Sequence, residues 1–206
     1  MSCRFQFFSA FLCLAVSATA QGAVIAQWDL NSDFAASNVD GDIQTASDLT
    51  DVGINSLGFD GIGWEFDGLP DSPAKTDYAT VTLTADSGFQ IDLNGGSVTF
   101  NADYISGNRD ADGYTVDVIS DPGGTAVTQT LGTSDDGEVN FNSGSITGFT
   151  VANEIELRVY WNNGQTWGDQ QMGDLVINGE VIPEPASFAL LGLGSLLMAG
   201  GRRRRG

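Results

Sequence analysis

The chain has 206 residues, with 8 basic against 27 acidic side chains, a formal net charge of −19 and no histidine. So acidic a surface repels phosphate backbones and anionic headgroups, which excludes nucleic acid as a partner. Both cysteines, Cys3 and Cys13, lie near the N-terminus, so the rest of the chain has no thiol or imidazole for disulfides, thiolate catalysis, His-based triads or the usual zinc sites.

"MSCRFQFFSAFLCLAVSATAQGA" opens with Arg4, continues in an apolar stretch from Phe5 to Val16, and reaches the small-x-small site Ala18-Thr19-Ala20. This is the three-part pattern of a secretory signal peptide. Residues 1–20 are therefore expected to be a leader, cleaved after Ala20 or as late as Ala23. Residues 24–182 are expected to form the exported domain. They keep Lys75, Arg109 and Arg158 against 26 acidic residues, a formal charge of −23, which suits solvation in a salty medium or binding of a divalent cation.

Strand-like patterning runs through this domain. "AVIAQWDL" (23–30) is a weak strand candidate, and Trp28 and Trp64 read as core. Residues 31–63 are loop-rich and are expected to cross over a sandwich edge. "DYATVTLT" (77–84) sets Val81 and Leu83 against Thr80, Thr82 and Thr84, and "SVTFNADY" (97–104) sets Val98, Phe100, Ala102 and Tyr104 against Thr99, Asn101 and Asp103. "NRDADG" follows, with Asn108, Asp110 and Asp112 alternating before Gly113, as in the first half of a calcium loop. Hard oxygens at that spacing can converge on Ca²⁺, but the twelfth position, where a bidentate Glu is wanted, is Ile119. The competing expectation is a polar hairpin loop joining strands 97–104 and 113–120. "NVDGD" (38–42) is a weaker candidate of the same kind.

"GYTVDVIS" (113–120) alternates Tyr114, Val116 and Val118 with Thr115 and Asp117; 125–131 and 137–142 are weaker strand candidates. "NEIELRVYW" (153–161) sets Ile155, Leu157, Val159 and Trp161 against Glu154, Glu156, Arg158 and Tyr160. "YWNNGQTW" then places Tyr160 and Trp167 beside Asn and Gln, the side-chain types with which sandwich domains stack and hydrogen-bond sugars. Alternation puts Trp161 in the core; Trp167, with Tyr160, is the ligand candidate. "GDLVINGEVI" (173–182) is a last strand. "DPGG", "SDDG", "NNG" and "NGG" supply turn residues. Eight or nine strands of this kind predict an all-β fold, a two-sheet antiparallel β-sandwich of jelly-roll-like type.

The chain closes with Pro183-Glu184-Pro185, the uncharged stretch 186–201 and the arginines Arg202, Arg203, Arg204 and Arg205. As a helix, 186–201 spans roughly 24 Å, short of a hydrocarbon layer of ~30 Å, and long arginine stems relieve part of the mismatch. Leucines surround its whole circumference, and Pro183 and Pro185 stop a helix from running back into the domain. A single transmembrane helix is expected, with residues 202–206 on the cytoplasmic side and 24–182 across the membrane.

"VIPEPASFALLGLGSLLMAGGRRRRG" resembles the PEP-CTERM sorting signal of exported proteins in Gram-negative bacteria: a Pro-Glu-Pro box (183–185), a short membrane helix and an arginine-rich tail. The resemblance implies an exosortase as processing partner and delivery to the cell surface or beyond, with the membrane anchor held at least transiently. The layout, from "AVIAQWD" to "DLVINGEVIPEP", is also similar to a recurrent ectodomain type of that family. An address of this kind says nothing about the chemistry of the domain it delivers. The residues themselves show no catalytic constellation: acids are plentiful, and nothing marks out two of them as a glycosidase pair. The expected function is that of a non-enzymatic surface or extracellular-matrix protein without a cofactor, Ca²⁺ at the Asn108–Asp112 loop aside. The alternatives are a carbohydrate-binding module with a glycan partner and, behind it, a glycan-active hydrolase.

Overall fold

The computed structural model describes residues 22–59, 61, 63–67, 75–107, 113–134, 140–162 and 168–185. They form an all-β fold of two antiparallel sheets. In chain order the strands are β1 (Ala23–Trp28), β2 (Asn38–Val39), β3 (Ile43–Ala46), β4 (Thr50–Val52), β5 (Asn55–Phe59), β6 (Trp64–Asp67), β7 (Tyr78–Ala85), β8 (Phe89–Gly107), β9 (Gly113–Ser120), β10 (Val127–Ser134), β11 (Phe141–Asn142), β12 (Glu154–Asn162) and β13 (Gly168–Pro183). The first sheet runs β11-β8-β13-β1-β2, and β6 joins the same flank of β13 as β1, with β5 beyond it. The second sheet runs β10-β9-β12-β7-β3, and β4 pairs with the start of β7.

Alternation decides which face goes inward. Along β7 the burial pattern alternates without a break, with Ala79, Val81 and Leu83 at 2% exposure or less. Ile155, Leu157 and Val159 of β12 follow the same rule. Between the sheets the rings form a chain: Phe34 meets Phe59 and Trp64, Trp64 meets Phe66, Phe66 meets Trp161 at 4.8 Å, and Trp161 reaches Phe100 at 6.1 Å. Phe100 then packs on Tyr114 and on Phe141. Fully burying a large apolar side chain stabilises a fold by about 1.5–3 kcal/mol, so this aromatic spine is a principal source of cohesion between the layers. Trp28, Trp64 and Trp161 are all buried, as their sequence contexts imply.

Three expectations change. The strands flanking "NRDADG" are not a hairpin: β8 pairs with β13 and β11 in the first sheet, whereas β9 pairs with β10 and β12 in the second. Phe100 and Tyr114 face each other across the core, their centroids 5.2 Å apart, an arrangement that alternation permits as readily as a hairpin. Residues 31–63 do pass from the first sheet (β2) to the second (β3, β4) and back (β5), as expected, but they do so through four short strands of two to five residues each. The "NVDGD" stretch within them is β2 and the turn after it, in which Asp40 Oδ1 accepts the N–H of Asp42 at 2.9 Å. Finally, β8 and β13 are 19 and 16 residues long, well beyond the 97–104 and 173–182 segments that the sequence marks.

Gln170, on β13 opposite Phe66, is 1% exposed, and neither side-chain amide atom has a hydrogen-bond partner. A buried unsatisfied polar group costs about 1–3 kcal/mol. Gln170→Leu, similar in volume and without polar atoms, is therefore expected to raise stability by roughly 1–2 kcal/mol, read as a higher urea midpoint at unchanged slope. A lowered midpoint would show that the amide is satisfied in solution.

Candidate functional site: the junction between the sandwich and the C-terminal segment

β13 is the central strand of its sheet, and its last residues lead into the Pro-Glu-Pro box. Val181 pairs with Ile91, Ile182 with Gln90 and Pro183 with Phe89, so the box begins inside the ladder, with no linker between the two. Pro183 is the last strand residue, where its missing N–H removes little from the pairing. Beyond it, the Glu184 N–H donates to Gly88 O at 2.8 Å. The Glu184 carboxylate accepts a hydrogen bond from Asn153 Nδ2 at 2.6 Å, and the same nitrogen also donates to Phe89 O at 3.3 Å. β1 runs antiparallel to β13, with Ala23 opposite Gly179, so the first described residues and the box leave the fold at the same end.

A family model for the PEP-CTERM protein-sorting motif matches residues 181–205. The chain carries a PEP-CTERM sorting signal. The match begins two residues before the proline box, inside β13, so the PEP-CTERM signal and the sandwich share residues 181–183. Of this signal, residues 181–185, the Pro-Glu-Pro box among them, are described; the expected span 186–201 and Arg202–Arg205 lie outside the described residues, as does the expected leader, 1–20. Among the described residues no helix is long and apolar enough to cross a membrane.

No curated protein matches the chain. Among solved structures it is similar to a family 29 carbohydrate-binding module, at 12% identity and a TM-score of 0.41 over 78% of this chain and 90% of that one. A CBM29-2 mutant complexed with mannohexaose shares 12% identity at a TM-score of 0.42, covering 78% of this chain and 93% of its own. The CBM22-1–GH10 modules of a Clostridium thermocellum endo-1,4-beta-D-xylanase, complexed with xylohexaose, share 14% identity at a TM-score of 0.40, covering 78% of this chain and 29% of theirs. Likenesses this distant carry no ligand or activity over to the present chain.

The ligand-binding expectations separate. Asn108, Asp110, Asp112 and Trp167 lie outside the described residues. Among the described residues no three His, Cys, Asp or Glu side chains converge as metal ligands. Tyr160 lies on the outer face of the second sheet, where alternation puts it, yet it is only 5% exposed. Its ring packs on Tyr78 with centroids 5.3 Å apart, and Lys75 Nζ stands 5.0 Å from its centroid. Lys75 lies far upstream of Tyr160 in the chain, so the sequence around Tyr160 gives no sign of this cover.

Two ion pairs frame this face. Asp117, 2% exposed, accepts hydrogen bonds from Lys75 Nζ at 2.5 Å and from Thr130 Oγ1 at 2.6 Å. A buried carboxylate is tolerable because it is paired in this way. Arg158 makes a bidentate contact with Glu156, Nε to Oε1 at 2.6 Å and Nη2 to Oε2 at 2.9 Å, and stacks over Tyr78 at 4.8 Å. The hydrogen bond to Glu156 raises the already high pKa of the guanidinium against a smaller opposing effect of burial, with Tyr160 adding to the rise. Both described basic residues of the domain are thus engaged on this one face. A sugar ring can stack on Tyr160 only if Lys75 moves away.

A second feature is a groove of about 540 Å³ on the first sheet, lined by Gly95, Gly96, Ser97, Asn142, Ser145 and Asn178 among others. Its side chains are small or neutral, and Asn178 Nδ2 is already bonded to Ser97 Oγ at 3.1 Å. It holds no charged group and no aromatic platform.

Proposed function

We propose that this is an exported protein, delivered through a secretory leader and sorted at the membrane by an exosortase that reads its C-terminal signal, with the β-sandwich as a non-enzymatic surface or extracellular component. The observation that carries the reading is the PEP-CTERM match over residues 181–205, which starts within the last strand of the folded domain. An uncharged stretch followed by four arginines fits a segment held in the bilayer with its basic end on the cytoplasmic side. The domain's formal charge of −23 fits life on the far side of the membrane, away from nucleic acid.

The test is replacement of Pro183, Glu184 and Pro185 by alanine in the full chain, followed by fractionation of the native cell. The wild-type protein is expected at the surface or in the medium, shortened at its C-terminus. The triple variant is expected to accumulate in the membrane with its arginine tail intact. Identical length and location for the two chains would refute the reading.

A further inference from the structure

Asn153 sits where the two sheets meet. Its carbonyl accepts the N–H of Ala85 on β7 at 2.8 Å, and its own N–H donates to Asp121 Oδ1, in the turn after β9, at 3.1 Å. Both contacts belong to the second sheet. Its side chain reaches the first: Oδ1 accepts from Gln90 Nε2 at 3.3 Å, while Nδ2 is shared between Phe89 O and Glu184 Oε1. The preceding residue, Ala152, bridges to Ile91 of β8. Glu184 is therefore held through its backbone by Gly88 and through its side chain by Asn153, groups that come together only once both sheets have closed.

We propose that this junction is a latch: the folded sandwich holds the central residue of the Pro-Glu-Pro box, and a processing enzyme engages the box only after Asn153 releases it. The proposal rests on the reading of this segment as a processed signal. An enzyme that reads an extended peptide does so through backbone N–H and C=O groups and alternate side chains. In the latched state the Glu184 N–H and carboxylate are already occupied by the domain. The apparent affinity of the enzyme for the signal is then reduced by the fraction of molecules in which the latch is open. The sorting rate is in this way tied to the state of the fold, although the box lies outside the core.

The test uses the full-length chain and two variants, Asn153→Ala, which removes the donor, and Asn153→Asp, which keeps the size but sets a second carboxylate against Glu184. Hydrogen exchange at the Glu184 amide, measured on the purified full chain, is expected to be about tenfold faster in both variants, the effect of losing one hydrogen bond to a charged group. Conversion to the C-terminally shortened form in the native cell is expected to speed up by a similar factor. Unchanged exchange in the variants would show that Asn153 holds nothing, and faster exchange with unchanged conversion would show that the contact does not gate processing; either result overturns the proposal. Absence of any shortening in the wild-type chain counts against the sorting reading itself, and the exchange comparison then decides separately whether the latch exists.

Discussion

Gly96→Ala is expected to destabilise the sandwich by about 2–4 kcal/mol, whereas Gly95→Ala, one residue away, costs about 1–2 kcal/mol. The two glycines serve different purposes. The register between β8 and β13 jumps from Ser97↔Asn178 to Asp92↔Glu180, so the Leu93–Gly96 stretch bows out opposite Gly179. Gly95 has φ of 81° with nothing within 4 Å of an added Cβ, so alanine there meets only the left-handed backbone penalty. At Gly96 a Cβ would stand 2.1 Å from Asn178 O and 2.8 Å from its carbonyl carbon. Those are backbone atoms of the central strand, and neither can swing aside. The strands must part there, breaking the packing around the close approach of Gly22, Gly96 and Gly179. Thermal unfolding of the two variants side by side checks this, at roughly 2–4 °C per kcal/mol for a domain of this size. Equal losses would mean that the two backbones do not approach this closely.

Trp161→Ala is expected to cost about 3–5 kcal/mol and Trp161→Phe about 1 kcal/mol or less. Trp161 is 1% exposed and links Phe66 on one side to Phe100 on the other, so truncation opens a cavity in the middle of the aromatic spine. Phenylalanine preserves most of that contact. It also discards an indole N–H that has no partner, in contrast to Trp28, bonded to Ser47 O, and Trp64, bonded to Ser56 Oγ. Equilibrium urea unfolding of both variants separates ring packing from polar satisfaction. A Phe variant as unstable as the Ala variant would contradict the account that ring packing, most of which phenylalanine keeps, is what Trp161 contributes.

Much of the fold is legible in the sequence, and the illegible part has a physical reason. Val81 with Leu83, Val116 with Val118, and Ile155 with Leu157, Val159 and Trp161 declare their inward faces by period-two alternation, and all are buried. Alternation does not declare partners. Tyr114 faces inward whether β9 folds back beside β8 or crosses to the opposite sheet, so the expected hairpin around "NRDADG" and the observed arrangement share one pattern. Strands of two or three residues, such as β2 and β4, are too short to show any period. The Pro-Glu-Pro box is visible because its function is written in contiguous residues. Its docking is not, because Asn153 is 31 residues upstream of Glu184 and nothing local to either residue marks the pair. Tyr160 illustrates the same limit: its place on the outer face follows from the sequence, and its cover comes from Lys75 on a distant segment.

The central claim, that the segment joined to β13 is an address acted on at the membrane, is tested most directly by the intact mass of the wild-type protein recovered from its native envelope and medium. A mass lacking both the N-terminal leader and Arg202–Arg205 is the predicted result. A single species of all 206 residues, recovered from the cytosol with both ends in place, would contradict it.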